Sequence, residues 1–424
     1  MKTLVIGLLL SGLTLRAAPT EQREWTSSAG TKVTATANSF SNGVVTLETA
    51  DGRKIGLTLD KFAEEDRNFL IEHFGVPKPG EPRGSGVGLI TGDLPHPLAT
   101  ASGPVDAGGG SNYFVYLPKT LREGRKAPLM LYTGAGGGNA RTVSNFSEAA
   151  ELNGWIIAAS VESKNGDGHP EKNHEHAKRC VEHLLANLPI DEGRVYFSGN
   201  SGGGAMSFYN ALRIKSMGNM PFVGYSPDKK YDKKQYCIGI GGTNDFNRYL
   251  TAHAVEQYGD KGFHRMAPGG HSNGPAWLQN EGITWLNGRF LGDRRNDAGL
   301  DPERLDFEFS MIRWIDGLRS TAPHRAHYWC HFLQNEYRIS GPNAEAVRIR
   351  IEELSKDTNH VRYTQGVYAI NGFSEKYYVP EGEGGGSKMK HTTPKIRSAA
   401  EKLAAEYAGV PEIEETLRKM GEPT

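Results

Sequence analysis

The chain has 424 residues, with 49 Lys+Arg against 49 Asp+Glu and 53 glycines. That length exceeds one ordinary domain and predicts two or three folded units, while a net charge of zero argues against general attraction to nucleic acid or to an anionic membrane. The glycines fall as punctuation rather than in a strict repeat, which excludes a collagenous or low-complexity chain.

Taken in chain order, Lys2, an apolar run over residues 4–15 and then Arg16-Ala17-Ala18-Pro19 predict a secretory signal peptide over residues 1–17, too short to cross a bilayer. The expected location is therefore secreted or periplasmic, and no later segment reads as transmembrane. Residues 23–74 predict a small β-barrel closed by a helix. Trp25 opens it, strands are expected over 33–37, 44–47 and 55–59, Asn42-Gly43 and Asp51-Gly52 mark hairpin turns, and 60–73 switches to helical spacing with Phe62, Phe69 and Leu70 on one face. Through its Trp, Gly-x-Val-x-Leu, Asp-Gly-Arg and Glu-Glu-Asp elements this unit resembles the Sla-homology SH3-like domain that precedes many exported bacterial enzymes. It holds no nucleophile, base and acid set, so it is expected to be dispensable for chemistry. Residues 76–111 are rich in Gly, Pro, Ser and Thr and predict a linker.

From residue 112 apolar runs recur at 113–117, 128–132, 155–160, 194–197, 222–225, 236–240 and 263–266, with helical spacing over 144–152, 176–188 and 205–214. Strands alternating with helices predict an α/β unit with a doubly wound, mostly parallel sheet over residues 112–291. Residues 292–424 turn to long amphipathic stretches at 306–318, 344–354 and 398–420, which predicts a mainly helical extension serving as an extra domain or as a cap; the Gly-rich segment 381–390 is expected to be a surface loop.

Gly199-Asn200-Ser201-Gly202-Gly203 fits a nucleophile elbow because a predicted strand stands immediately before it and a predicted helix immediately after. A serine hydroxyl attacks poorly until a base takes its proton, and Pro268-Gly269-Gly270-His271, after the strand 263–266, supplies His271. Gly202 N–H is one oxyanion donor by position. The loop Thr133 to Gly138 follows an early strand and offers Ala135 or Gly136 as the second. The triad acid should lie between the serine and the histidine, which leaves Asp228, Asp232, Asp245 and Asp260. Only Asp245 directly follows the C-terminal end of a predicted strand; the other three fall in turns at the opposite end of theirs.

Residues 112–291 resemble the polyhydroxybutyrate depolymerase and feruloyl esterase branch of the α/β-hydrolases. The resemblance is carried by Tyr113-Phe114-Val115-Tyr116-Leu117-Pro118, the Gly134 to Gly138 loop, Arg194-Val195-Tyr196 leading into Gly-Asn-Ser-Gly-Gly, Gly242-Thr243-Asn244-Asp245, Pro268-Gly269-Gly270-His271 and Ile283-Thr284-Trp285-Leu286. Two departures bear on substrate: Thr133 stands where that family usually has His, and the stretch from Ser201 to Asp245 is short. The resemblance implies hydrolysis of carboxylic esters on or from polymers, such as acyl groups on polysaccharide or a polyester, by Ser201, His271 and Asp245 without cofactor. Peptide hydrolysis by the same triad is a rival within the class, and a non-catalytic binding or surface protein using the sheet as scaffold is a rival outside it.

Two His/Cys clusters, His169, His174 and His176 with Cys180, and His324 and His327 with Cys330 and His331, lack the paired spacing of a structural zinc site. They are expected to pack at helix interfaces, with no metal. Three cysteines are too few for a disulfide scaffold, and Cys180 with Cys237 is the expected pair because both fall in the sheet domain.

Overall fold

The computed structural model describes residues 19–41, 44–58, 61–73, 103–121, 124–166, 170–242, 245–267, 270–381, 386–389 and 393–422. The expected signal peptide and the Asn42-Gly43 turn lie outside them. The chain divides into two compact units, residues 1–85 with 339–350, and residues 86–338 with 351–424.

In the first unit β1 (Arg23–Thr26), β2 (Lys32–Ser41), β3 (Val44–Thr49) and β4 (Lys54–Thr58) form an antiparallel sheet in that order, followed by α1 (Glu64–His73). Trp25, Ala35, Ala37, Val45, Leu47, Phe62 and Leu70 make its core, and the Trp25 indole donates to Ala35 O at 2.8 Å. The helix starts four residues later than expected, so Phe62 packs on Trp25 from the turn before it. Phe69 stays partly exposed under the Arg23 guanidinium, 4.2 Å from its ring centre. Residues 339–350, expected to belong to the helical extension, are part of this unit.

The second unit is built on β5 (Val105–Asp106), β6 (Asn112–Tyr116), β7 (Ala127–Gly134), α2 (Ala140–Ser144), α3 (Ser147–Asn153), β8 (Ile156–Ser160), α4 (Glu171–Asn187), β9 (Ile190–Asn200), α5 (Gly202–Ala211), β10 (Gly218–Phe222), β11 (Tyr236–Gly242), α6 (Arg248–Glu256), β12 (Gly262–Ala267) and α7 (Ala276–Asp293). The sheet runs β12-β11-β10-β9-β7-β8-β6-β5, with β7 to β12 mutually parallel, β6 antiparallel to β8, and the edge strand β5 antiparallel to β6. This is the α/β-hydrolase arrangement, a doubly wound sheet whose order doubles back beside β9. β5 lies inside the expected linker, so the sheet begins before residue 112. α4 presents Ala177, Cys180, Val181 and Leu184 at helical spacing to Leu129, Leu131, Ile156, Val195 and Phe197 on one face. On the other face α7 is buried nearly all round, between the sheet and further helices. Its Asn280 accepts from Ala149 N (2.7 Å) and its Asn287 accepts from Arg194 (2.7 Å), which also grips Glu303 through two bonds of 2.7 and 2.9 Å.

One expected strand moves. The apolar run 222–225 predicts a strand, but β10 ends at Phe222 and begins at Gly218. Val223 takes φ 45°, a backbone that a β-branched residue rarely adopts, and its N–H goes to Ile240 O. The buried Asn219 and the in-strand Pro221 hide β10 from any hydropathy reading.

The extension comprises α8 (Asp301–Leu318), α9 (Pro323–His331), α10 (Pro342–Leu354), α11 (Thr358–Tyr377), the hairpin β13 (Tyr378–Glu381) with β14 (Gly386–Met389), α12 (Pro394–Glu406) and α13 (Pro411–Met420). The hairpin replaces part of the expected loop 381–390. The expected amphipathic stretch 398–420 is divided between two helices, because Gly409 turns at φ 84° and Pro411 cannot continue a helix. Apart from 339–350, the extension shares one compact unit with the sheet. No described helix is long and apolar enough to cross a membrane.

Where α9 meets α11, the His327 ring lies tilted against His360 (4.0 Å between centres), its Nε2 lies 3.3 Å from His331 Nε2, and the same nitrogen meets Ser355 Oγ at 3.2 Å. Burial, then His360 and His331, push His327 down to about 4. Its stabilising contribution is full above the ordinary histidine pKa of about 6.5 and is lost as pH falls toward the folded value, because the unfolded chain takes up the proton first. The wild type should therefore melt earlier at pH 4.5 than at pH 7, and His327→Gln should flatten that dependence in thermal scans.

Candidate active site

β7, β9, β11 and β12 all end at the same carboxyl edge of the sheet, where loops of an open α/β fold carry chemistry. β9 runs straight into α5, and the residue between them is Ser201, at φ 54° and ψ −119°. A non-glycine residue held there stores about 1–3 kcal/mol of strain. The neighbouring glycines make the turn possible: a Cβ on Gly199 would stand 2.0 Å from Thr133 O, and one on Gly203 would stand 1.8 Å from the same atom. Thr133, where the resembled family carries His, is fully buried, and its hydroxyl shares its one hydrogen between Ser198 O and Gly203 O, both at 3.1 Å. It ties β7 to the elbow.

His271 lies four residues beyond β12, with residues 268 and 269 of its approach outside the described set. Its Nε2 is 2.7 Å from Ser201 Oγ, and its Nδ1 is 2.7 Å from Asp245 Oδ1. Asp245 follows β11, is wholly buried, and its Oδ1 also accepts from Asn247 N at 3.1 Å. Phe246, half exposed, stacks on the imidazole with ring centres 4.3 Å apart and planes 18° apart. The other three candidate acids lie elsewhere. Asp228 pairs with Arg213 at 2.6 Å, Asp232 caps Lys234 N at 2.9 Å, and Asp260 is exposed in the turn Gly259–Lys261.

Gly202 opens α5, so its N–H has no acceptor within the helix. Across from it, Ala135 N–H donates to Asn200 Oδ1 at 3.2 Å, and that oxygen also accepts from Tyr132 OH at 3.0 Å. Burial pushes the Tyr132 phenol up to about 12, so it stays a donor; Asn273, two residues after His271, donates to it at 3.0 Å. Gly136 faces Lys164 in an antiparallel bridge whose bond runs from Asn165 N to Ala135 O at 2.9 Å. In that register Gly136 points its own N–H away from Lys164. Asn200, Tyr132 and Asn273 were not expected at the site. Only Asn200 had a signal, its place inside the Gly-x-Ser-x-Gly motif.

No family model matches the chain, and no curated protein matches its sequence. Among solved structures the chain is similar to an esterase of Pyrobaculum calidifontis (13% identity, 38% of this chain and 72% of that one, TM-score 0.32). It is also similar to an α/β hydrolase from the metagenome of Lake Arreo (14%, 49% and 80%, 0.34) and to a truncated carbohydrate esterase from gut microbiota (15%, 49% and 95%, 0.36). At these TM-scores the likenesses add nothing to the fold, which rests on strand order and connectivity.

The expected Cys180–Cys237 disulfide is not formed: Cys180 and Cys237 are both buried free thiols. Cys180 sits in α4 against β8, with its thiol 3.9 Å from Ser160 Oγ, whereas Cys237 on β11 packs with Phe208, Val255 and Tyr258 of α5, α6 and the turn after it. Three strands of the sheet separate β11 from β8. Of the two His/Cys clusters, His169 lies outside the described residues. His174 meets Asn210 Oδ1 (2.9 Å), His176 meets Ser111 Oγ (2.8 Å), and His324 meets Glu412 (3.2 Å). Among the described residues no three His, Cys, Asp or Glu side chains gather so as to hold a metal ion.

Proposed function

We propose that the chain is an exported serine hydrolase that cleaves carboxylic esters. The observation that carries this reading is the unbroken chain from Ser201 Oγ to His271 Nε2 and from His271 Nδ1 to Asp245 Oδ1, both links 2.7 Å, on a serine in strained backbone. Ser201 Oγ attacks the ester carbonyl carbon while its proton passes to His271 Nε2, and the carbonyl π electrons move to oxygen. Asp245 holds Nδ1–H and stabilises the imidazolium. As the tetrahedral carbon collapses, the alcohol leaves with the proton from Nε2, which gives an acyl-serine. A water then repeats the sequence, delivers its proton through His271 back to Ser201, and releases the acid.

The oxyanion meets Gly202 N–H and, of the two alternatives in the loop after β7, Gly136 N–H, because Ala135 N–H is already turned to Asn200. The exposed Phe246 ring beside His271 supports an apolar acyl or alkoxy group at the mouth, in keeping with polymer-linked esters. The apolar run over 4–15 supports export, and the N-terminal unit is read as SH3-like. Wild-type protein should react with a fluorophosphonate and hydrolyse p-nitrophenyl acetate, and Ser201→Ala should do neither while melting like the wild type. A folded wild type that is neither labelled nor active would favour a binding protein on a hydrolase scaffold.

A further inference from the structure

The oxyanion pocket of this chain has a feature that its backbone donors do not explain. Gly202 does not lie in the left-handed region, so no turn requires glycine there. What requires it is space: a Cβ on Gly202 would stand 1.9 Å from Asn165 Oδ1, 2.8 Å from its Cγ and 2.9 Å from its Nδ2. The carboxamide of Asn165 thus lies against the Cα of the residue whose N–H faces the developing charge.

Asn165 is also fixed to the other wall of that pocket. Its N–H donates to Ala135 O at 2.9 Å, beside the Gly136–Lys164 bridge. The glycines of the same loop admit the chain that carries Asn165: a Cβ on Gly137 would stand 2.3 Å from Val161 O, and one on Gly138 would stand 2.6 Å from Ala159 Cβ. The residue is exposed, and its carboxamide has no hydrogen-bond partner among the described residues. An amide whose own backbone is tied to Ala135 and whose head lies against Gly202, with both donor hydrogens unspent, is placed for an incoming oxygen. Which end of the amide faces inward is set by rotation about its last bond, since O and N occupy nearly the same shape.

We propose that Asn165 is a further catalytic residue whose side-chain N–H donates to the ester carbonyl oxygen as it becomes an oxyanion, beside the donors Gly202 and Gly136. The inference rests on the hydrolase reading above. It makes Gly202 glycine for the sake of Asn165: a methyl group there occupies the place of the carboxamide.

The test uses the full chain, p-nitrophenyl acetate, and a cycle of Asn165→Ala, Gly202→Ala and the double variant, with Asn165→Asp as the variant of similar shape that replaces the donor by a carboxylate. Loss of one side-chain oxyanion donor lowers kcat by roughly 10²-fold, so Asn165→Ala should lose about that much in kcat with KM and melting temperature unchanged, and Asn165→Asp, whose carboxylate also repels the oxyanion, should lose at least as much. Gly202→Ala should lose a similar amount, and the double variant should lose no more than either single one, because both changes remove the same group. An Asn165→Ala variant with wild-type kcat, a loss confined to KM, or single losses that multiply in the double variant would overturn the assignment while leaving the hydrolase reading intact. A wild type without turnover or fluorophosphonate labelling overturns both.

Discussion

Asp245→Asn is expected to keep the wild-type fold and melting temperature and to lose about 10⁴-fold in kcat on p-nitrophenyl acetate, the scale of loss when a triad is deprived of its orienting carboxylate. Asn247 still donates to Val223 O at 2.9 Å, so the turn after β11 keeps that anchor even where the rotated amide gives up the bond from Asn247 N. What changes is the proton on the imidazole. The carboxylate accepts from Nδ1 and leaves Nε2 free to take the serine proton. An amide rotated to donate to Nδ1 selects the opposite tautomer, in which Nε2 carries hydrogen and cannot act as base. KM should move little, since the side chain is buried behind His271 and touches no substrate. Asp228→Asn, Asp232→Asn and Asp260→Asn, each at a surface turn, should retain wild-type turnover, so a loss in any of them with normal activity in Asp245→Asn would reassign the acid.

The elbow was legible because its signal is local. Strand, Gly-x-Ser-x-Gly and helix are contiguous, and the glycines are demanded by contacts within the turn and with the adjacent β7. The three polar loops were legible through chain order and a rule about strand ends, which is why Asp245 stood out from three other aspartates and now lies 2.7 Å from His271. Asn165 carried no such signal. It reaches the elbow only through the packing of the loop after β8 against the loop after β7, a long-range fact that a one-dimensional pattern does not encode. The same cause hid β10, where Asn219 and Pro221 break the hydrophobic run while the sheet buries them. It also hid the membership of 339–350 in the first unit. The break between α12 and α13 did have a local signal, Gly409 and Pro411, which the reading of 398–420 as one stretch passed over.

The tie between the extension and the catalytic sheet was missed for a further reason: it is a buried ion cluster, and hydropathy counts its members as surface. Glu281 of α7, with no solvent exposure, is gripped by Arg265 of β12 and by Arg325 of α9, the latter at 2.6 Å. Both guanidiniums lie over the Trp277 ring, with Arg325 4.4 Å from its centre. Desolvation consumes much of what such a cluster gains, so its presence is weak evidence of added stability, but removing one member is another matter. Glu281→Ala leaves two cations facing each other in a closed site and should cost about 3–5 kcal/mol, a fall of about 10 °C in Tm at 2–4 °C per kcal/mol. Glu281→Gln, which keeps the shape and two acceptor lone pairs, should fall between the two, and replacing Glu281, Arg265 and Arg325 together by apolar residues of similar volume should recover most of the loss. β12 leads into the loop that carries His271, so Glu281→Ala assayed well below its melting point should retain most of its turnover if the cluster serves stability alone. Equal melting of Glu281→Ala and wild type in thermal scans would show that the extension is held by its apolar contacts and not by this carboxylate.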